Sequence, residues 1–98
     1  MVITKRDLAV IQCLLAWKPS LGGMTITRYT GNDPNAPEYK TARVKVAGYS
    51  WEIAVKLKKT EGGWDPLWMG VPEEGKFGFG TVYDVKKSDQ GLTLVEHK

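Results

Sequence analysis

The chain has 98 residues, of which 42% are hydrophobic and 26% are charged, so its composition is that of a globular protein and excludes general disorder. Residues 1–98 have the length of a single domain. The net charge of +3 is only mildly basic. With one histidine and one cysteine, the chain has few side chains that could take part in acid–base, thiol or metal chemistry. We therefore predict a protein that is not an enzyme and that needs no cofactor or metal. The unusual feature of the composition is its four tryptophans.

The sequence offers little evidence for secretion or for contact with a membrane. Cys13 is the only cysteine, so it cannot form an internal disulfide, and nothing favours an oxidising compartment. The longest apolar run, Leu8 to Trp17, is too short to cross a bilayer. Basic residues precede this run, as in a signal peptide, but Asp7 among them and Gln12 within the run argue against one. We predict a cytoplasmic protein.

The N-terminal segment carries the start and stop signals of a helix over residues 4–17. Thr4 and Asp7 have the spacing of a capping box, and Pro19, which two glycines follow, ends the helix. The second half of the segment is apolar almost all round, whereas a surface helix keeps a polar face. The helix is therefore either buried on most sides or packed against a second copy of the chain, as a homodimer through helix 4–17.

The remainder, residues 24–97, is predicted to be β-rich, and its clearest hairpin joins 41–47 to 51–57. Pairing Val44 with Ile53 places apolar side chains on one face and charged ones on the other, which specifies the register.

The same register turns Trp51 towards the core. Further strands are expected at 24–29, 76–86 and 92–96, and alternation in the second of these places Phe79 in the core. A turn is expected before the last strand, with Gly91 at a positive φ. The predicted fold is α+β, with an N-terminal helix packed on a curled five-stranded antiparallel sheet or small β-barrel.

The segment 61–72 lies between predicted strands and is interrupted by glycine and proline, so we predict a loop. Loops run over the surface, and tryptophan and methionine are enriched in the cores of interfaces. We therefore predict a protein-binding site formed by Trp64, Leu67, Trp68 and Met69. The alternative is that the loop folds back and closes one end of the barrel.

A second candidate site is a cluster of cations on and beside the predicted hairpin, which suits a nucleic-acid backbone or another anion. Its members are Lys40, Arg43, Lys45, Lys56, Lys58 and Lys59. The alternative is a solvated outer face on which lysines protect a strand edge and Glu52 partly neutralises the charge.

Three functions follow from these features. The first is a small non-enzymatic protein that occludes or adapts a protein or nucleoprotein complex, of the kind that phages or mobile elements make to inhibit a host enzyme or a nucleoprotein defence complex. The second is nucleic-acid binding by the basic hairpin face, with bases stacked on Trp64, Trp68 or Tyr49. The third is sequestration of a small phosphorylated ligand at Gly75 to Gly80 and nearby lysines.

Overall fold

The computed structural model describes residues 3–31, 33–73 and 78–97. Its elements in chain order are α1 (Lys5–Trp17), β1 (Met24–Thr30), β2 (Tyr39–Val46), β3 (Ile53–Thr60), β4 (Gly63–Pro72), β5 (Phe79–Ser88) and β6 (Gly91–Glu96). The six strands form one antiparallel sheet in the order β1-β2-β3-β4-β5-β6. The α+β class is confirmed. The predicted count of five strands and the closed barrel are wrong, because β1 and β6 are the two ends of the sheet and do not pair with each other.

The helix begins as the sequence predicts. Thr4 is the N-cap residue, and its side chain accepts a hydrogen bond of 3.0 Å from the backbone N–H of Asp7. The Asp7 carboxylate in turn accepts one of 3.2 Å from the N–H of Thr4, which completes the capping box. One helix face is buried against the sheet, over β3, β4 and β6, through Ala9, Val10, Cys13 and Leu14.

The apolar side chains on the rest of α1 are not all covered. Leu8 and Leu15 are exposed, so the helix is buried on one side and not on most sides. They lie seven residues apart and therefore on the same face. Self-association through this helix stays a prediction. Among the described residues no helix is both long and apolar enough to cross a membrane.

The central hairpin has the predicted register, with Ala42 opposite Val55 and Val44 opposite Ile53. The placement of Trp51 in the core is wrong, because β3 begins at Ile53 and Trp51 lies in the connection between the strands, 63% exposed. Alternation tells which face a side chain takes only within a paired strand, and β3 begins two residues after the tryptophan.

The prediction of a loop at 61–72 is wrong, because most of this segment is β4. Its first proline, Pro66, stands beside an irregularity at which Leu67 has no partner residue on β3. A bulge is one of the few places where a sheet accepts proline, which has no N–H to donate. The second proline, Pro72, is the last residue of the strand. Both prolines are therefore compatible with a ten-residue strand.

The other predicted strands are present with shifted boundaries. The prediction at 24–29 corresponds to β1, and the one at 92–96 to β6. Gly91 has a φ of 117°, as the predicted turn requires. The strand predicted at 76–86 begins at Phe79 in the structure, and residues 76 and 77 lie outside the described residues.

Candidate functional site

The helix covers one face of the sheet, and no other described element covers the opposite face, which we call the open face. The core face is defined by fully buried side chains such as Val44, Ile53 and Met69, which form one cluster with the buried side of α1. Alternate residues of a strand point to opposite faces, so the neighbours of these residues lie on the open face. In the observed registers, the open face carries Arg28, Arg43, Lys45, Lys56, Lys58 and Trp68.

The structure divides the six predicted cations between the two faces. Arg43, Lys45, Lys56 and Lys58 lie on the open face. Lys40 pairs with Leu57, and Lys59 pairs with Trp64, so these two lysines alternate to the helix side.

Two cations of the open face are held beside an aromatic ring. The Nζ atoms of Lys56 and Lys58 lie 5.0 and 5.8 Å from the centre of the Tyr39 ring, within the range of a cation–π interaction. The Nζ of Lys45 donates a hydrogen bond of 3.0 Å to the carbonyl oxygen of Ser50. These contacts orient the three lysines, and none of the contacts is with a carboxylate.

Phe79 also belongs to the open face, although simple alternation along β5 predicts it in the core. The register between β4 and β5 shifts after Val71, so that Phe79 pairs with Pro72 while Thr81 pairs with Val71. Because β5 has one extra residue at this shift, Phe79 takes the face opposite to the one that alternation from Thr81 predicts. The Phe79 ring is 38% exposed.

The Phe79 ring is seated on the backbone of the neighbouring strand. A Cβ atom built on Gly70 would lie 2.8 Å from the ring, closer than two carbon atoms can approach. The ring also meets Trp68 edge-on, with 6.1 Å between ring centres. A glycine inside a strand is a sequence signal for such a close approach. Gly70 is therefore a sequence signal for an aromatic ring on the open face, where alternation alone does not place Phe79.

The open face contains a cleft with a volume of about 590 Å³. It is lined by Arg28, Arg43, Trp51, Glu52, Pro72, Gly78 and Phe79. The guanidinium of Arg28 forms an ion pair of 2.9 Å with Glu52. The Thr27 hydroxyl donates to the same carboxylate, and this hydrogen bond, with a smaller contribution from the nearby Arg28 charge, holds the pKa of Glu52 below its usual range.

The second arginine of the cleft has an unused donor. The Nε of Arg43 is buried and has no hydrogen-bond partner among the described residues. Arg43 lies directly across from Arg28 on the neighbouring strand. The cleft therefore combines one arginine engaged by a carboxylate, one with spare donor capacity and two accessible aromatic rings.

The four predicted protein-binding residues do not form one surface. Met69 is fully buried in the core. Trp64 is half-buried against the same core, and the guanidinium of Arg6 lies 5.6 Å from the centre of its ring. Leu67 and Trp68 are half-buried, and Trp68 faces the open side of the sheet. Thus only part of the predicted anchor is accessible.

The remaining reactive side chains are placed as follows. Burial raises the pKa of the Cys13 thiol to about 12. The Nδ1 of His97 lies 2.9 Å from a carboxylate oxygen of Asp84. Within 3–31, 33–73 and 78–97, no group of three or more His, Cys, Asp or Glu side chains is arranged to hold a metal ion. The glycine-rich segment predicted to bind a phosphorylated ligand, Gly75 to Gly80, lies partly outside the described residues, at 75–77.

Comparison of the chain with protein-family models, with curated proteins and with solved structures finds no match. Functional inference therefore depends on the chemistry of the open face.

Proposed function

We propose that this protein is a non-enzymatic binding protein that holds a single-stranded nucleic acid on the open face. The observation that carries the proposal is the placement of exposed aromatic rings, Trp51 and Phe79, on the same uncovered sheet face as a group of cations. An antiparallel sheet commonly exposes one polar face to water, so an uncovered face alone indicates nothing. The large exposed aromatic rings distinguish the open face from an ordinary polar sheet face.

The two kinds of side chain match the two parts of a nucleic-acid strand. Unpaired bases stack on aromatic rings, and basic side chains attract the phosphates between them. In a duplex the bases are already stacked and paired, so they cannot reach a flat sheet face. We therefore expect the open face to prefer single strands over double strands.

The acids of the open face do not cancel this attraction. Glu52 is paired with Arg28, and Asp65 is paired with Lys87 at 2.9 Å. Asp84, which lies across from Trp68, is in contact with the His97 ring at 2.9 Å. The four cations available to phosphates are Arg43, Lys45, Lys56 and Lys58. Four phosphate contacts give a slope of about −2.8 for log affinity against log salt, or about a 50-fold loss of affinity between about 50 and 200 mM salt.

Adjacent lysines on opposite faces provide the test. Fluorescence anisotropy of a labelled single-stranded oligonucleotide is measured with the unaltered protein, with Lys58→Gln and with Lys59→Gln. Both residues are exposed, but only Lys58 lies on the open face. We expect Lys58→Gln to weaken binding and to reduce the salt slope by about 0.7, because one phosphate contact is lost.

The control variant Lys59→Gln has the same change of charge and should bind almost as the unaltered protein does. Equal losses in the two variants would show that only net charge matters and would contradict binding at the open face. An absence of binding to DNA and RNA single strands at low salt and micromolar protein would refute the proposal.

A second candidate function uses the same face for a protein partner. Exposed tryptophan beside arginine is the composition of interface hot spots, and Trp51 is the most exposed tryptophan side chain near the cleft arginines. In this case the protein would occlude an enzyme or a nucleoprotein complex, in the manner of a phage or mobile-element inhibitor. Binding anchored by Trp51 would be less sensitive to salt than binding to phosphates. Alanine at Trp51 should then abolish capture of the partner, whereas Lys58→Gln should not.

A further inference from the structure

The cleft on the open face differs chemically from the rest of that face. Its volume of about 590 Å³ falls within the range of about 300–1,000 Å³ that is usual for small-ligand sites. Its walls combine two arginines, one carboxylate and two aromatic rings. The charged walls together carry one net positive charge, which favours an anionic ligand.

Arg43 is the group in the cleft that is suited to bind a phosphate. Its guanidinium lines the cleft, and its buried Nε has no partner among the described residues, so no hydrogen bond from that atom ties the group to its neighbours. The planar fork of arginine binds two phosphate oxygens at once. Arg28 is already held by Glu52 at 2.9 Å and therefore forms the wall opposite.

The aromatic walls suit a flat ring. Trp51 has most of its side chain exposed, and Phe79 is fixed in place because it rests on Gly70. Both residues line the same cleft as Arg43. Base–aromatic stacking tolerates every base because each has a π-face.

From these observations, and resting on the proposed function, we infer that the cleft holds one nucleotide, with its base against Trp51 and Phe79 and its phosphate on Arg43. The nucleotide is either one unit of a strand that crosses the open face or a free nucleotide. Both sources present an aromatic base and a phosphate.

The test compares ligands that carry one or both parts. Quenching of tryptophan fluorescence and calorimetry are measured with nucleoside monophosphates, nucleosides, ribose 5-phosphate and a short single-stranded oligonucleotide. We expect a monophosphate to bind about tenfold more tightly than a nucleoside or ribose 5-phosphate, because each of these lacks one contact. A monophosphate that binds no better than ribose 5-phosphate would overturn the inference.

Variants separate the cleft from the rest of the face. Arg43→Lys keeps the charge but loses the fork. Trp51→Ala removes an exposed side chain outside the strands, so we expect the variant to fold. Each should weaken monophosphate binding about tenfold, whereas Lys58→Gln should leave it unchanged. Equal effects of all three variants would overturn the inference.

The oligonucleotide distinguishes the two sources and the two proposals. If the oligonucleotide binds more tightly than the monophosphate and competes with it, the cleft holds one unit of a strand. If the monophosphate binds at least as tightly, the occupant is a free nucleotide. Oligonucleotide binding that depends on Lys58 but is not reduced by a saturating monophosphate would refute the cleft and leave the proposed function standing.

Discussion

The seating of Phe79 on Gly70 makes a specific prediction for the substitution Gly70→Ala. The added methyl would lie 2.8 Å from two ring carbons of Phe79, so the ring must leave its place. Gly70 does not have a positive φ, so alanine itself fits the backbone there. The destabilising part of the effect therefore comes from the displaced ring and from its contact with Trp68.

The expected magnitude follows from two opposing contributions. Overpacking of this kind costs about 1–3 kcal/mol, and it includes loss of the edge-on contact between Phe79 and Trp68. Replacing glycine by alanine at a compatible position returns about 0.4–1 kcal/mol, because the unfolded chain loses freedom. From the middle values of these ranges, we expect Gly70→Ala to lower the free energy of unfolding by about 1 kcal/mol, within limits of about 0–2.6 kcal/mol.

A double-mutant cycle in urea, followed by circular dichroism, measures this effect. In the Phe79→Ala background the clash is absent, so Gly70→Ala should be neutral or stabilising by up to about 1 kcal/mol. Gly63→Ala is a control in the same strand, where the nearest atom to a new Cβ, on Lys5, is 4.0 Å away. If Gly70→Ala costs the same with and without Phe79, the close approach is not its cause and the reasoning fails.

Four further predictions concern the core, the helix and the surface. Met69→Ala should cost about 2–5 kcal/mol of unfolding free energy in a denaturant melt, because the side chain is fully buried; a loss below about 1 kcal/mol would contradict its core position. Asp7→Asn should cost up to about 1 kcal/mol near neutral pH, because it removes the negative charge from the first turn of the helix and weakens the hydrogen bonds that the carboxylate accepts. The hydrogen bond from Tyr29, with those from Thr4, lowers the pKa of Asp7, so the carboxylate stabilises the folded protein fully at pH values above its ordinary pKa of 3.8. This stabilisation is lost as the pH falls through the lower pKa of the folded state, and the unfolding free energies of Asp7→Asn and the unaltered protein should then converge. The Cys13 thiol, which is fully buried with a pKa of about 12, should react with a thiol reagent only at the rate of opening or unfolding; rapid labelling of the native protein would contradict this. If the protein sediments as a dimer, Leu15→Lys should convert it to a monomer, since Leu15 is exposed on α1; a dimer that persists would place the interface elsewhere.

The sequence predicts the parts of the fold that depend on local chemistry. The helix start follows from Thr4 and Asp7, whose capping interactions lie within four consecutive residues. The register of β2 and β3 follows from alternation, because only one alignment buries Val44 and Ile53 together. In both cases, the information lies within a few neighbouring side chains.

The parts of the fold that the sequence predicts wrongly depend on bulges, register shifts and strand ends, which a regular alternation of apolar and polar residues does not reveal. Leu67 has no partner on β3, and this irregularity accommodates Pro66, so a segment that looks like a loop is a strand. The register shift between β4 and β5 moves Phe79 to the open face, and the early end of the hairpin exposes Trp51. These last two departures create the cleft, so the candidate site lies where the regular pattern fails.

The order of the strands has a consequence for how the chain folds. Each strand pairs only with its neighbours in sequence, so the sheet can grow one hairpin at a time, and each step closes a short loop at a small cost in entropy. The contacts of α1 with β4 and β6 instead join the start of the chain to its far end. We expect the helix to dock late, onto a sheet that is already formed. During synthesis the helix, which is made before every strand of the sheet, would then reach its final position only after those strands have paired.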